Sequence, residues 1–196
     1  MEEAISHYLE SIKTLCPDVD DDALLFLAPA LTITRLNARH FYSHANARQT
    51  HIGFVFSGLL RAYYIDQSGK EITVNFIGEN QFATHYTAQI SNQPSRYYFQ
   101  CIEPCVMVNI PYAHVQAAYE AYPSLERYGR LVVEEILKMQ QRRIEALLFD
   151  SAEKRYTNFV ADHNDLFNRV SLSSLATFLG IERPSLSRIR KKLTRP

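Results

Sequence analysis

The sequence predicts an α+β fold in which short helices and an antiparallel β sandwich or small barrel precede a long helix and a small all-helical domain. Three observations predict this order. Short β-rich runs recur between residues 31 and 110 without helices between them. After Pro111 the apolar residues recur at helical spacing. The residues after Val170 have the pattern of a helix-turn-helix, in which two short helices cross at a steep angle.

Before the β-rich runs, residues 3–15 and 20–29 are predicted to form short helices, with Asp20 or Asp21 as the N-cap of the second. A hairpin turn is expected at residues 66–69, with Gly69 at the position that needs a positive φ. The predicted strands are residues 31–36, 52–56, 59–65, 71–77, 96–102 and 106–110.

The helical second half begins with a helix over residues 112–122, which ends before Pro123. Ser124 is expected to cap a long helix that ends near residue 150. One side of this helix is apolar except at Arg143, and the stripe is longer than one small barrel needs. A second copy of the chain is therefore expected to pack there, although a helix that only bridges two domains is the alternative. The expected dimer-interface residues are Leu125, Tyr128, Val132, Ile136 and Met139.

The C-terminal segment meets the local demands of a helix-turn-helix, after a further helix over residues 152–160. Ala176 provides a small side chain where the two helices approach closely, and Gly180 suits a turn position with positive φ. Pro184 fits the first turn of the second helix. The inner faces are predicted to be formed by Leu175, Leu179, Ile181, Leu186 and Ile189.

Charge is distributed unevenly along a chain whose net charge is zero. Residues 151–196 hold nine Lys or Arg and four acids, whereas residues 1–36 hold seven acids and two basic residues. Basic and hydroxyl side chains at a helix start suit phosphate contacts and the reading of guanine. The alternative is a helical hairpin that contacts no nucleic acid. The side chains predicted to face away from the apolar stripe are Arg183, Ser187, Arg188 and Lys191.

Composition restricts the class of protein further. A chain of 196 residues with 46% hydrophobic and 21% charged content suits one or two globular domains. No apolar run reaches the ~18–20 residues that span a bilayer. Cys16, Cys101 and Cys105 are too few for a disulfide framework, so they are expected in the core of a cytoplasmic protein.

The chain resembles the Crp/Fnr superfamily of transcription regulators over roughly residues 20–193. The resemblance is carried by residues 54–61 (FVFSGLLR), 66–71 (DQSGKE), 76–79 (FIGE), 175–181 (LATFLGI) and 186–191 (LSRIRK), in that order. It implies a cyclic-nucleotide-binding-type jelly roll with N-terminal helices (residues 1–111), connecting and dimerisation helices (112–150) and a DNA-binding domain (151–196). The implied partners are double-stranded DNA, a second copy of the chain and RNA polymerase, and the chain is not expected to be an enzyme.

The resemblance also implies roles for individual residues of the last helix. Base reading corresponds to Arg183, Ser185 and Arg188, with Ser187 nearby. Pro184 replaces a carboxylate that the best-known members use, so their DNA target is not expected here. The residues that remain for contacts to the DNA backbone are Lys191, Lys192 and Arg195.

An effector pocket follows from the same resemblance. Family members that bind cyclic nucleotides hold the ribose with a Glu after a Gly, which Gly78 and Glu79 match. Ser95 and Arg96 have the composition of the phosphate-binding Arg-Ser pair in reverse order, and a one-residue slip on a strand turns a side chain to the other face. Cyclic AMP is therefore not expected, and the cofactor stays unknown: another small molecule, or none. The remaining pocket positions are Gln140 and Gln141, where small hydroxyl residues stand in members that respond to cyclic AMP.

A metal enzyme of the cupin type is one alternative, because several histidines lie in or near predicted strands. The sequence has no His-x-His pair with a downstream Glu at the spacing that this fold uses. The candidate ligands are His40, His44, His51 and His85.

A regulator without an effector is the other alternative. Its barrel would be filled by its own aromatic side chains, which are usually core at strand spacing. These aromatic residues are Tyr63, Tyr64, Tyr86, Tyr97, Tyr98 and Phe99.

Overall fold

The computed structural model describes residues 2–193, and within that range the chain forms nine α-helices and eight strands. The strands form two four-stranded sheets with the orders β1-β8-β3-β6 and β2-β7-β4-β5. The predicted α+β fold with a jelly-roll barrel is confirmed. The strands are β1 (Thr32–Leu36), β2 (Phe41–Ser43), β3 (His51–Ser57), β4 (Leu60–Ile65), β5 (Glu71–Ile77), β6 (Phe82–Ala83), β7 (Tyr98–Cys101) and β8 (Cys105–Pro111).

Six of these strands were predicted, and the turn between β4 and β5 has the predicted conformation. Gly69 has φ +82° there. Asp66 Oδ1 accepts hydrogen bonds from the Ser68 and Lys70 backbone N–H groups at 2.8 and 3.0 Å, which closes the turn. Strands β2 and β6 were missed because three and two residues are too few to show an alternating pattern.

Four α-helices lie within the described residues up to residue 122. Three of them match predicted helices, and α3 was not predicted. A 3₁₀ turn, Ala28–Ala30, follows the second helix. The Asp20 side chain accepts from Ala23 N at 2.8 Å, so Asp20 is the N-cap. These helices are α1 (Glu2–Leu15), α2 (Asp21–Leu27), α3 (Tyr86–Ile90) and α4 (Tyr112–Ala121).

The remaining helices include the long one, which begins at Pro123 rather than after a Ser124 cap. Proline suits this first helical position, and the Tyr122 carbonyl accepts from Glu126 N at 3.3 Å. Among the described residues, no helix combines the length and apolar character needed to cross a bilayer. These helices are α5 (Pro123–Phe149), α6 (Ala152–Asp162), α7 (Asn164–Phe167), α8 (Leu172–Leu179) and α9 (Arg183–Leu193).

Two compact units make up the described chain. The β unit comprises the chain up to Ala62 together with Phe76–Ile136. The helical unit comprises the hairpin tip Tyr63–Asn75 and the chain from Leu137 onward. The hairpin tip thus packs with the C-terminal helices, and the predicted domain boundaries at residues 111/112 and 150/151 stay predictions.

The β unit has an apolar layer on each face of the sheet β1-β8-β3-β6. Phe54 and Val108 face one layer, which the N-terminal helices, α4 and the start of α5 complete. Val55 and Met107 face the layer between the two sheets. All three cysteines are buried and free, as expected of small core residues.

Two predicted dimer-interface residues lie in the core of their own chain instead. Leu125 is 1% exposed and Tyr128 is 8% exposed, and both pack in the layer that contains Phe54. This corrects their assignment to a surface that meets a partner. Val132 and Ile136 are half-buried, and Met139 is exposed. The apolar stripe that the sequence shows is therefore largely the face of α5 that packs inward.

Candidate nucleic-acid interface

The turn between α8 and α9 has the geometry that its sequence predicts. Ser171 caps α8, because its side chain accepts from Ser174 N at 3.1 Å. Gly180 ends the helix at φ 62° and ψ 39°, the left-handed conformation that glycine adopts without strain. Ile181 N then donates to the Ala176 carbonyl at 2.9 Å, which satisfies one of the last carbonyls of the helix.

The inner faces of the two helices are buried as predicted. Ala176 is 2% exposed where the helices approach, and Leu186 is fully buried. Ile189 is half-buried, whereas Leu193 at the end of α9 is 44% exposed. Three further predicted inner residues are buried, namely Leu175, Leu179 and Ile181. Burial of this set fixes α9 against α8 and defines which face of α9 is solvated.

The solvated face of α9 carries arginine and lysine and no acid between residues 183 and 193. Arg183, Arg188 and Lys191 are exposed, while Ser185 and Ser187 are half-buried. At about 100° per residue, the three basic residues fall within an arc of about 140°. The Arg188 guanidinium donates to Ser185 Oγ at 3.2 Å.

Two other basic residues of α9 are held by neighbouring helices. Lys192 Nζ lies 2.9 and 3.0 Å from the two carboxylate oxygens of Glu153 in α6. The Arg190 guanidinium stacks 4.9 Å from the centre of the Phe167 ring. Lys192, predicted to contact DNA, is therefore tied to an acid. Arg195, also expected to contact the DNA backbone, lies outside the described residues.

Sequence reasoning missed Arg155, which supports the turn from α6. Its guanidinium donates to the carbonyl oxygens of Leu179 at 2.7 Å, Gly180 at 3.2 Å and Asp150 at 2.6 Å. A helix end leaves carbonyls without partners within the helix, and a cation there also complements the helix dipole. No local pattern marks this arginine, because its partners lie 24 and 25 residues away or at the helix end before it.

Arg143, the residue that interrupts the apolar stripe of α5, joins α8 to the hairpin tip. It donates to the carbonyls of Thr73 at 3.3 Å and Phe178 at 3.2 Å, and also to that of Val74. Its guanidinium lies 4.5 Å from the centre of the Phe178 ring. Thr177 of α8 bonds to Thr73 as well, accepting from its N–H at 3.1 Å. The interruption in the stripe was therefore the signal of a structural role.

We call residues 78–97 the effector region, because they contain most of the predicted effector residues. Glu79 Oε1 accepts from Gly58 N at 2.9 Å. Gly78 N donates to Gln81 Oε1 at 3.1 Å. The predicted Gly-Glu pair thus forms part of a turn next to the β3–β4 connection.

Ser95 is 1% exposed and hydrogen-bonds to His85, with 3.1 Å between Oγ and Nδ1. The Tyr97 ring lies against the imidazole at a centroid distance of 4.3 Å. Burial, with a smaller contribution from the Arg96 charge, lowers the pKa of His85 below its usual value. Arg96 itself is exposed. The hydroxyl of Ser95, which the sequence predicted to bind an effector, is therefore hydrogen-bonded to His85.

Gln140 and Gln141, the remaining predicted pocket residues, belong to the helical unit and are exposed on α5. Gln141 Nε2 donates to Glu145 Oε1 at 3.0 Å.

The four histidines proposed as metal ligands are not gathered into a site. Within residues 2–193, no group of three or more His, Cys, Asp or Glu side chains could hold a metal ion. His51 Nδ1 lies 2.8 Å from Thr50 Oγ1, and His44 packs on Phe41 at a centroid distance of 4.3 Å. The geometric basis for the cupin alternative is therefore missing from the described residues.

Comparison with known proteins finds a domain match over part of the chain and a similar fold over most of it. Residues 34–122 match the cyclic nucleotide-binding domain family. The c-di-GMP responsive global regulator CLP from Xanthomonas campestris has a TM-score of 0.71 and 17% identity, covering 89% of this chain and 91% of that chain. FixK2 from Bradyrhizobium japonicum has a TM-score of 0.71 and 14% identity, covering 83% and 84%. The chain has the Crp/Fnr fold.

A crp/fnr family protein from Eubacterium rectale gives the same result for this Crp/Fnr fold. Its TM-score is 0.71 at 16% identity, and the match covers 91% of this chain and 85% of that chain. No curated protein matches the chain in sequence. The predicted resemblance to the Crp/Fnr superfamily is thus confirmed for the fold and for the presence of a cyclic nucleotide-binding domain.

Proposed function

We propose that the protein is a homodimeric, sequence-specific DNA-binding transcription regulator. The observation that carries the proposal is the exposed basic face of α9, presented by a helix-turn-helix whose turn and inner faces are fully formed. A recognition helix of this kind enters the major groove with its first residues toward base edges. Arg183 is exposed at that end and Arg188 is exposed five residues further along the helix, so they are the proposed base-reading residues.

Contacts to bases and to phosphates are expected from different residues. The fork of donors on Arg188 suits bidentate hydrogen bonds to guanine O6 and N7. Lys191 follows Arg188 by three residues and suits a phosphate, as does Ser187, while Ser185 stays a predicted base-reading residue. Lys192 would join them only after it leaves Glu153.

The dimer contact is proposed on the exposed part of α5. Leu137, Ile144 and Leu148 are 62%, 56% and 71% exposed, and with Gln141 they recur at steps of four, three and four residues. This is the spacing of a coiled-coil seam. A second copy would cover these side chains and present two α9 helices to two half-sites. RNA polymerase as a further partner stays a prediction.

A regulator that binds no cyclic nucleotide is the form that the effector region favours. Ser95 is bonded to His85, and the apolar part of the space between the two sheets is occupied by Leu60, Ile77, Phe99 and their neighbours. Phe99 is 1% exposed, in keeping with a filled barrel, whereas Tyr64 is 39% exposed and does not contribute to it.

Sequence-specific binding is tested with a target selected from random duplex DNA. Replacing Arg188 by Ala should weaken binding to the selected target by about 1–3 kcal/mol and binding to random DNA by less. Fluorescence anisotropy at fixed salt measures both affinities. Arg142→Ala, an exposed arginine on α5, is the matched control. Equal losses on both DNAs would make Arg188 a phosphate contact, and no selected target at all would overturn the proposal.

The dimer is tested separately by light scattering after gel filtration. The wild-type chain should have twice the mass of 22.6 kDa, and Ile144→Glu should reduce it to the monomer mass. Arg142→Glu introduces the same side chain on the opposite face of α5 and should leave the dimer intact. A monomeric wild-type chain, or a dimer that survives Ile144→Glu, contradicts the proposed seam.

A further inference from the structure

One end of the barrel in the β unit is polar and concave. The concavity has a volume of about 350 Å³. Pockets for small ligands start at about 300 Å³, so a compact metabolite would fit. Its lining is formed by Thr32, Thr34, Tyr42, Ser43, Arg48, Gln49, Thr50, His51 and Asn109.

Strand alternation explains why these polar side chains share the inner face of a sheet. Asn109 is paired with Thr32 on β1 and with Gly53 on β3. It is two residues from Met107, which packs between the two sheets. Side chains two apart on a strand, and residues paired across strands, lie on the same face. The barrel interior therefore changes from apolar to polar at this end.

The floor of the concavity is a fixed network of hydrogen bonds. Asn109 is 5% exposed, and its Oδ1 accepts from the Tyr42 hydroxyl at 2.7 Å. Its Nδ2 donates to Thr34 Oγ1 at 3.0 Å. Because the Thr34 oxygen accepts that bond, the proton of its hydroxyl can be offered to a ligand.

The Tyr42 hydroxyl lies against strand β3 at Gly53, where the absence of a side chain leaves room for it. A Cβ atom added to Gly53 would lie 2.4 Å from the Tyr42 hydroxyl oxygen, closer than side chains approach. Gly53 does not have a positive φ, so the turn conformations that usually require glycine do not explain it. Glycine weakens a strand interior and often marks a close approach of this kind.

The segment of the chain that supplies eight of the nine lining residues contains basic residues and no acids. Residues 23–65 contain four arginines and three histidines and no Asp or Glu, in a chain with 21 acids. None of the nine described lining residues is acidic, and Arg48 is exposed at the rim. One Arg48 N–H group donates to Asn92 Oδ1 at 3.4 Å, and a guanidinium has five such donors. An oxyanion matches this donor-rich lining.

We propose that this end of the barrel binds a small oxyanion, a carboxylate or phosphate that also carries hydroxyl groups. Arg48 pairs with the anionic group, and the hydroxyls of Thr34 and Tyr42 bind the polar remainder. The lining residues lie between residues 32 and 51 and on β8, outside the effector region. The proposal is independent of DNA binding, because the site is described within the β unit alone.

Calorimetric titration of the full chain tests the site at constant ionic strength. The probes are inorganic phosphate, citrate and uncharged glycerol. Phosphate or citrate should bind with a dissociation constant below about 5 mM, and glycerol should not bind in that range. Phosphate alone would identify a phosphate site, and citrate alone a carboxylate site, each in support of the proposal. Arg48→Gln should weaken binding about tenfold or more, because a charge-assisted hydrogen bond is lost.

Arg35→Gln is the matched control, since Arg35 is exposed on β1 next to Thr34, and neighbouring residues on a strand face opposite sides. Amide chemical shifts that move at Thr34 and Asn109 on titration would locate the anion. The proposal is overturned if neither anion binds, if glycerol binds equally well, or if Arg35→Gln and Arg48→Gln weaken binding alike. The last result would mean a general effect of surface charge.

Discussion

In the helix-turn-helix the side chains of Arg183 and Arg188 are exposed, whereas in the effector region Ser95 is 1% exposed and bonded to His85. These polar groups of the helix-turn-helix are therefore open to a partner, whereas that of Ser95 in the effector region is buried and paired. In the helix-turn-helix, Arg155 satisfies the carbonyl groups of Leu179 and Gly180, and the basic face of α9 is exposed to solvent. In the effector region, by contrast, polar side chains such as those of His85 and Ser95 are bonded to each other.

The difference teaches that folding leaves a helix face available more readily than it leaves a polar pocket open. A helix face stays available whenever the opposite face is buried, as Leu186 is. A pocket needs several groups that remain unpaired in the absence of ligand, and each buried polar group without a partner costs free energy. The bond between His85 and Ser95 removes that cost for these two side chains.

The largest effect is expected from Leu186→Ala, which should lower the free energy of unfolding of the helical unit by about 3 kcal/mol. Leu186 is fully buried between α8 and α9, so the change leaves a cavity that the helices cannot readily fill. Urea denaturation followed by circular dichroism measures the loss. Leu193→Ala in the same helix is the control, since Leu193 is 44% exposed and should lose far less. Similar losses would show that α9 is not held by Leu186.

A smaller loss is expected from Arg155→Gln, about 2 kcal/mol by the same measurement, because hydrogen bonds from a charged donor to three carbonyls disappear. Affinity for the selected DNA should fall as well, since the turn positions α9. Lys154→Gln changes an exposed neighbour and should leave both quantities unchanged. If Arg155→Gln reduced DNA affinity without any loss of stability, Arg155 would contact DNA rather than support the turn.

The helix-turn-helix could be predicted residue by residue because its determinants are local. Gly180 has the positive φ that its place after an apolar helix implies, and Ile181 and Leu186 are buried on the predicted face. Each requirement lies within a few residues of the others, so sequence spacing alone expresses it. The same reasoning cannot find Arg155, whose partners in the turn are 24 and 25 residues away.

The effector region and the long helix show where sequence reasoning stops. The His85–Ser95 bond crosses ten residues that include the unpredicted helix α3, and no periodic pattern indicates it. On α5, periodicity identified an apolar stripe but not what covers it. Leu125 packs within its own chain, while Leu137 and Ile144 are exposed. Only the tertiary packing distinguishes a core face from a partner face.

A modest effect of pH is expected from His85. Burial and Arg96 lower its pKa in the folded chain, so at mildly acidic pH the unfolded chain binds a proton that the folded chain does not. The free energy of unfolding should therefore decrease as the pH falls from about 7 through the lowered pKa, and this contribution should be constant above about pH 7. The free energy of unfolding of the His85→Gln variant, measured by urea titration, should decrease less between about pH 7.5 and 5.5 than that of the wild-type chain. If the acid dependence of the His85→Gln variant were the same as that of the wild-type chain, a role for His85 would be contradicted.

The smallest effect is expected from cyclic AMP, which should leave the melting temperature of the wild-type chain within about 1 °C at millimolar concentration. A ligand at a hundred times its dissociation constant stabilises a protein by about 2.7 kcal/mol, which melting curves detect easily. A phosphate at Ser95 would have to break the bond to His85 and displace the Tyr97 ring, while Arg96 stays in solvent. The selected DNA, added to the same protein, serves as the positive control and should raise the melting temperature. A rise of several degrees with cyclic AMP would mean that the His85–Ser95 pair opens to admit the ligand. These polar groups of the effector region would then be paired with each other only while no ligand is bound.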